Sequence, residues 1–597
     1  MISNRKHLAV ILLGAIALSF LLYGNTIGGN FVYDDKFFSE RKDLNQPSAL
    51  TKVWSQPFLP QHRDAGMYRP LTVFSLALNF IIFGGDTESF HVTNIVLNGA
   101  VVFLVFLLAW RLFGSVVLAF FSALFFAFLP IHTEAVAFIK SRDELLAVVF
   151  ILLSWLTFIG ATEGKSGFSH FRIFLSSLWF ILAVLAKELV IIAPALFLLI
   201  YWLRRKPGFG QLLRVGLYFG PVLAGYLMIR YRILGEYAFG KDDTYFIINP
   251  LGTADFWVRV STAFKIAFVY VGKTFAPINL SATYHYNQLA LITNPFTSGE
   301  AVLGMAILAI LIFLVGYRKT RLTPLGIGAA TFLIPYLVFS KFIFKGGDIL
   351  AERWMYLPSV GFSMIAGYGL ARIYDRRKIL GLVGLASVLA IYAYVLIGRN
   401  QVWLSNRALY ESMIKTAPAS IQGHLNMANL YLDNDYLEEA RREAEIAFNI
   451  YRDHPPLLNI VGVIAFKDEN YDLAEKAFLR AIEIRPKLPL SYSNIAKLYY
   501  KTGNYDKAEE ALRNVVVLYP KPDDAMLYAL TLAKLRRYND SLGIVDRFFK
   551  DNLSNSQIKF ILALDYYKLG NLAEARKYFD WNPRKTDAEK IEILKDF

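Results

Sequence analysis

Two adjacent carboxylates, Asp34 and Asp35, close the stretch FVYDD (31–35), a few residues beyond an apolar run that begins at Leu8. Neighbouring acids repel each other's charge and partial burial adds to that, so one of the pair is expected to ionise late enough to act as a base near neutral pH. Further groups suit an anion. Arg353 lies in Glu352-Arg353-Trp354, where a guanidinium can fork onto phosphate oxygens beside the aromatic faces of Trp354 and Tyr356. The alternative for that trio is an interfacial anchor. Lys187 and Glu188 interrupt the otherwise apolar segment 172–203 and read as a second phosphate contact with its partner, or as a structural ion pair. Arg142 is a candidate phosphate ligand or loop anchor; Arg69 and His91 are expected to pin the first loop. His132 and Glu134 look like half a metal site, but no second imidazole stands at ligand spacing, so a structural role is expected for them. A divalent ion on Asp34 and Asp35 is allowed but not required, because no D-x-D spacing is present. No G-x-x-x-x-G-K-[ST], and no G-x-G-x-x-G following a strand, supports nucleotide chemistry.

What must hold these groups is a membrane. The chain has 597 residues, 55% hydrophobic and 15% aromatic against 19% charged, and the apolar excess is confined to residues 8–398. That excludes a single soluble domain. The net charge of +15 does not imply nucleic acid, because the Lys and Arg gather in short loops between apolar runs, as the positive-inside rule requires. Zero cysteines exclude disulfides and thiolate metal sites. The first apolar run follows Arg5 and Lys6, lacks a small-residue cleavage site, and reads as a retained helix that starts inside.

Hydropathy predicts eleven spans in residues 1–400, with the N-terminus cytoplasmic and the C-terminus outside. Leu71 to Phe83 is too short to cross a core that needs about 20 residues, and reads as interfacial or re-entrant. One helix over 172–203 would overshoot a core of about 30 Å, so a hairpin is predicted there, with Lys187 and Glu188 at its outer tip. Trp257 to Phe275, broken by Arg259, Lys265 and Lys273, is expected to lie at the interface. In this topology all the candidate residues fall outside, at one face of the membrane.

After a connecting helix at 401–418 the pattern changes. Ala428, Gly462, Ala496, Ala529 and Ala563 recur with near-constant spacing, and Ala440, Ala474, Ala508, Ser541 and Ala575 repeat it twelve residues on. With NYDLAEKAF, NYDKAEEAL and Pro455, Pro486 and Pro520 as punctuation, 419–583 reads as five tetratricopeptide repeats, followed by a tail at 584–597. Such an array stacks into a solenoid whose groove can hold a protein or peptide, although a plain scaffold fits the repeats equally well.

FVYDD (31–35), YRPLT (68–72), FHVTNIVLNG (90–99), LPIHTEAVAFIKSRDELLA (129–147), LAKE (185–188) and AERWMYLPSVGF (351–362), with Trp403 behind them, resemble in order the transmembrane-and-tetratricopeptide-repeat O-mannosyltransferases of the GT-C glycosyltransferase superfamily. The chain has fewer repeats than many of those proteins, and 235–298 matches them less clearly. The resemblance implies an all-α, GT-C-type membrane enzyme in an inner, bacterial membrane. It implies transfer of a sugar, expected to be mannose, from a polyprenyl-phosphate donor to hydroxyls of exported protein recruited by the repeats. Asp34 would then be the base and Asp35 its orienter or an acceptor contact; Arg353, Lys187 and Arg142 would meet the donor phosphate, with Glu188, Arg69, His91 and Glu352 supporting. The competing expectations are a glycan or lipid acceptor, and a non-enzymatic assembly scaffold.

Overall fold

The computed structural model describes residues 5–162, 168–239, 246–343, 345–518, 521–550 and 553–597. Pro520, read above as repeat punctuation, and Lys165, expected from sequence in a short inner loop, lie outside these ranges. Among the described residues every regular element is a helix. The chain divides into two compact units, Met1–Ser420 and Ile421–Phe597.

Among the described residues of the first unit, six helices have the length and hydropathy to cross a membrane: Arg5–Thr26, Thr87–Phe113, Ile139–Thr162, Phe209–Phe239, Gly299–Gly316 and Lys378–Trp403. Val116–Phe128 and Pro130–Ala137, bent by 55° at Leu129, make a seventh if taken as one broken span. The other four of the eleven expected crossings, His170–Ala186, Ala193–Arg205, Pro324–Phe339 and Pro358–Arg376, are shorter or less apolar, so length and composition support six or seven.

The hairpin at Lys187 is present. Along helices Arg142–Thr162 and His170–Ala186, Arg172 bonds the Gly160 carbonyl, Ser154 meets Ser176, Phe150 stacks on Trp179, and Lys187 reaches Glu144. Partners that converge in the opposite order define an antiparallel pair. The chain then turns back: in Ala193–Arg205, Phe197 stacks on Trp155 and Tyr201 meets Phe158 edge-on, so this helix runs with Arg142–Thr162. The break is a short 3-10 turn, Glu188–Ile192, and it stands at the same end as Arg142.

The first polar loop is more structured than its composition suggests. Phe38, Leu44, Val53, Phe58 and Leu59 bury against Val73, Leu76 and Phe80 of helix Pro70–Phe83, forming a small apolar core of their own. Phe256–Phe275 is likewise packed into the bundle. Its Lys265 pairs with Glu300, the Tyr336 hydroxyl donates to the Ala263 carbonyl, and a Cβ on Gly304 would fall 1.8 Å from the Phe264 oxygen. Only glycine permits that approach.

The second unit contains five helical hairpins, the first starting at Ile421 and the fifth closing with the short helix Leu572–Arg576. The two series of small residues are buried where paired helices meet; a Cβ at Gly462 would lie 2.4 Å from the Phe478 ring. The segment expected as a tail, 584–597, contains a helix, Asp587–Asp596. Thr586 and Glu589 make a capping box, and Leu594 is fully buried, so an N-terminal signal and an apolar anchor are both present in that stretch.

Candidate active site

The Asp pair sits on a 3-10 turn, Tyr33–Asp35, that is clamped from both flanks. Val32 is buried in a cluster with Ala137, Phe138, Trp403, Leu409 and Met413, where Trp403 stacks on Phe138. Asp35 is fully buried and accepts hydrogen bonds from the Val32 and Lys140 amides (3.2 and 2.7 Å). Burial pushes its carboxyl up to about 8, against the pull of those two amides. Asp34 is the accessible member, 29% exposed at its side chain and paired with the Lys140 ammonium at 2.5 Å. Of the two, the raised acid is thus the inaccessible one, and Asp34 is the carboxylate a substrate can reach.

Arg353 lies within electrostatic reach of Tyr33, as do Asp34 and Asp348. Its guanidinium bonds Glu134 and Asp348 (3.0 Å), and its own amide donates to the second Glu134 oxygen at 2.9 Å. Glu134, read from sequence as structural, is therefore the anchor that aims Arg353. Burial favours neutral Asp348, but His285, Arg353 and Lys341 outweigh it and hold the carboxyl well below its usual range. Sequence reasoning missed Asp348, His285, Asp143 and Lys140. A lone Asp after Gly346-Gly347, ahead of the Glu352-Arg353 block, was the available signal for the first.

Behind this front lies a second set of charges. Arg69 forks onto Glu188 through Nε (2.9 Å) and Nη2 (2.5 Å) and reaches Asp143 through Nη1. Lys187 contacts Asp143 at 3.3 Å and Glu144. Lys187 and Glu188 are therefore not each other's partner; each pairs across to another helix or loop. Arg353 is within electrostatic reach of both Asp143 and Glu144, so front and back form one network.

Burial ranks the three expected phosphate ligands. Arg353 has a side chain 21% exposed, whereas Lys187 is 2% exposed and Arg142 is fully buried. All the Arg142 nitrogens are engaged: Nε with Asn94, Nη1 with Asn79 and the Ser75 carbonyl, Nη2 with the Phe90 carbonyl. Its four partners lie on helices Pro70–Phe83 and Thr87–Phe113, so Arg142 ties those two helices together, a structural role distinct from both the phosphate contact and the loop anchor expected from sequence. His91 is buried with Nε2 against Gly29, where a Cβ would sit 3.1 Å away. Glu352, also buried, accepts from the Ser281 amide (2.7 Å) and the Tyr284 hydroxyl, so it shapes the 281–284 loop; burial pushes its carboxyl up to about 7. Among the described residues, no group of three or more His, Cys, Asp or Glu is placed to hold a metal ion.

Close to Glu188 in sequence, an apolar cavity of about 260 Å³ opens between the hairpin and helix Phe209–Leu234, lined by Ile191, Ile192, Phe219 and Gly220 among others.

The chain as a whole is similar to known proteins. Tetratricopeptide-repeat family models match residues 489–522, and 425–489 with 528–580. The chain is 25% identical over 513 residues to protein O-mannosyl-transferase TMTC1 of Homo sapiens, covering 77% of this chain and 58% of that protein. It is 27% identical over 485 residues to protein O-mannosyl-transferase TMTC4 of Homo sapiens, covering 71% and 64%. This chain is a relative of the transmembrane-and-tetratricopeptide-repeat O-mannosyltransferases. A Caenorhabditis elegans member, protein O-mannosyl-transferase F38B6.6, is 24% identical over 442 residues, covering 72% and 61%. The chain thus spans about three fifths of the length of these curated relatives. Each of the two regions, apolar helices and repeats, has its counterpart in the expectation drawn from the six sequence blocks.

Proposed function

We propose that the chain is a membrane glycosyltransferase that moves a sugar, mannose by analogy with its O-mannosyl-transferase relatives, from a polyprenyl-phosphate donor to hydroxyls of exported protein. The observation that carries this reading is the convergence of Asp34, Lys140, Asp348 and Arg353 around Tyr33, a base and two cations on one side of the apolar helices. Asp34 takes the proton of the acceptor hydroxyl, and the oxygen attacks the anomeric carbon. The bond from that carbon to the phosphate oxygen breaks, and the polyprenyl phosphate leaves with the electron pair. Arg353, the most exposed of the three expected cations, and Lys140 hold the phosphate's growing charge. Asp35, buried and doubly bonded to backbone, orients the turn. The apolar cavity beside Ile191 and Ile192 suits a prenyl tail entering from the lipid.

The N-terminus lies in the cytoplasm, the site and the repeats outside, in a bacterial inner membrane; the repeats recruit the acceptor. The chemistry is complete with these side chains, and transfer is expected to survive chelation of divalent ions. Asp34→Asn is the decisive variant. It is expected to abolish transfer in reconstituted membranes while the protein remains folded and monodisperse. Full transfer by Asp34→Asn removes the proposed base.

A further inference from the structure

Tyr33 holds a left-handed backbone, φ +53°, directly before Asp34. A non-glycine residue persists there only where its surroundings leave it no alternative, and such strain gathers at functional sites. The flanking residues are fixed by other contacts: Val32 by an apolar cluster in which Ala137 and Phe138 meet Trp403, Leu409 and Met413, and Asp35 by two amides. The peptide joining Val32 to Tyr33 is held differently. The Tyr33 amide donates to the Asn406 side-chain oxygen at 2.7 Å, and the Asn30 amide donates to the Leu404 carbonyl at 3.0 Å. Both partners come from the segment between the last apolar helix and the repeats. Asn406 is itself fixed, because it opens helix Asn406–Thr416, capped by Ser405, whose Leu409 and Met413 are buried beside Val32. Tyr410 of the same helix stands within electrostatic reach of Tyr33.

We infer that Asn406 is a positioning residue for Asp34, so that the connector to the repeats completes the acidic turn and does more than tether it. The inference rests on the reading of Asp34 as the base. A side-chain oxygen 2.7 Å from the strained residue's amide selects one peptide orientation, and the next side chain is the one that must reach the acceptor hydroxyl. A displacement of about 1 Å at such a group is enough for a rate loss of about a hundredfold.

The test compares full-length Asn406→Leu, Asn406→Asp, Asn406→Ser and Asp34→Asn, purified in the same detergent and assayed with a polyprenyl-phosphate sugar and a Ser/Thr peptide. Asn406→Leu, similar in size but without an acceptor, is expected to lower kcat by about 10- to 100-fold, with KM for the donor within about twofold. Asn406→Asp retains an acceptor and is expected to recover most of that loss, which a merely structural defect would not do. If Asn406→Leu fails to fold, Asn406→Ser, whose shorter side chain cannot span the same contact, carries the same expectation. A kcat within twofold of wild type in a folded acceptor-less variant overturns the inference, as does Asn406→Asp no better than Asn406→Leu. If Asp34→Asn is inactive in either case, the base reading stands while the positioning role falls. If Asp34→Asn is active, the base reading itself has failed.

Discussion

Replacing Arg69 by Met should show how much the rear charge network contributes to holding the site. Arg69 is 9% exposed at its side chain and forks onto Glu188 while reaching Asp143. Burial alone would raise the Glu188 carboxyl, but Arg69 outweighs it and holds that carboxyl at about 2, against an ordinary 4.5. The difference, 4.5 − 2, or 2.5, corresponds to about 3 kcal/mol at about 1.4 kcal/mol per unit. Because the folded state favours the charged form, that contribution is complete above about pH 4.5 and is lost as the pH falls towards 2. At pH 7 it is fully present. Loss of a buried ion-pair partner by truncation costs about 3 to 5 kcal/mol, since the remaining carboxylate stays uncompensated. The two figures agree. Arg69→Met is therefore expected to lower the melting temperature in detergent by roughly 3 to 6 °C. Arg69→Met with Glu188→Gln should recover part of the loss, since no unpaired charge then remains at Glu188. The double-mutant cycle at pH 7 should give a coupling of about 2 to 3 kcal/mol. If Arg69→Met melts within 1 °C of wild type, or the coupling is below about 0.5 kcal/mol, the network is not what holds the loop.

Other substitutions probe separate parts of the molecule. With its carboxyl pushed up to about 8, Asp35 keeps a proton in the folded state that the unfolded chain has lost, so its contribution is greatest below about pH 4 and is lost as the pH rises towards 8. The melting temperature of wild type should fall more steeply between about pH 4 and 8 than that of Asp35→Asn, and parallel curves would contradict the buried acid. Arg353→Lys keeps the charge but loses the fork that Glu134 and Asp348 aim; transfer should drop about 10- to 100-fold in steady-state assays, and near-normal rates would point away from phosphate contact. Gly462→Leu forces a side chain into the Phe478 ring, 2.4 Å from the first added atom, at a cost of about 1 to 3 kcal/mol. Protease cuts should then appear within residues 421–484, and whole-protein acceptors should suffer more than short peptides. Equal loss on both acceptors would argue against recruitment by the repeats.

The repeats show what could be read directly from the chain. Ala428, Gly462 and Ala496 are spaced as one unit of a regular array, and a side chain at that position always meets the same neighbour, so periodicity alone located the helix contacts. The hairpin at Lys187 was equally accessible, because length against bilayer thickness leaves few alternatives. The crossings were less so: apolar runs such as Ala193–Arg205 count as spans by hydropathy, yet their helices are only 13 residues or little longer once the chain folds. The helix within 584–597 is not legible from sequence, because a single helix with one buried leucine carries no repeat signal.

Residue type was sufficient to nominate Asp34, Arg353 and Lys187, since charge beside an apolar run is costly unless it faces a polar cavity. Which partner each would take was not in the sequence. Glu188 stands next to Lys187 in the chain but pairs with Arg69; Arg142 stands beside Asp143 but ties two helices together through Asn79 and Asn94. Lys187 is extended at the break between two helices and Arg142 opens a third, so the side chains next to them leave in other directions. The order of exposure, with Asp34 open and Asp35 closed, and the reach of Asn406 to Tyr33 across 373 positions, exist only once distant segments have packed.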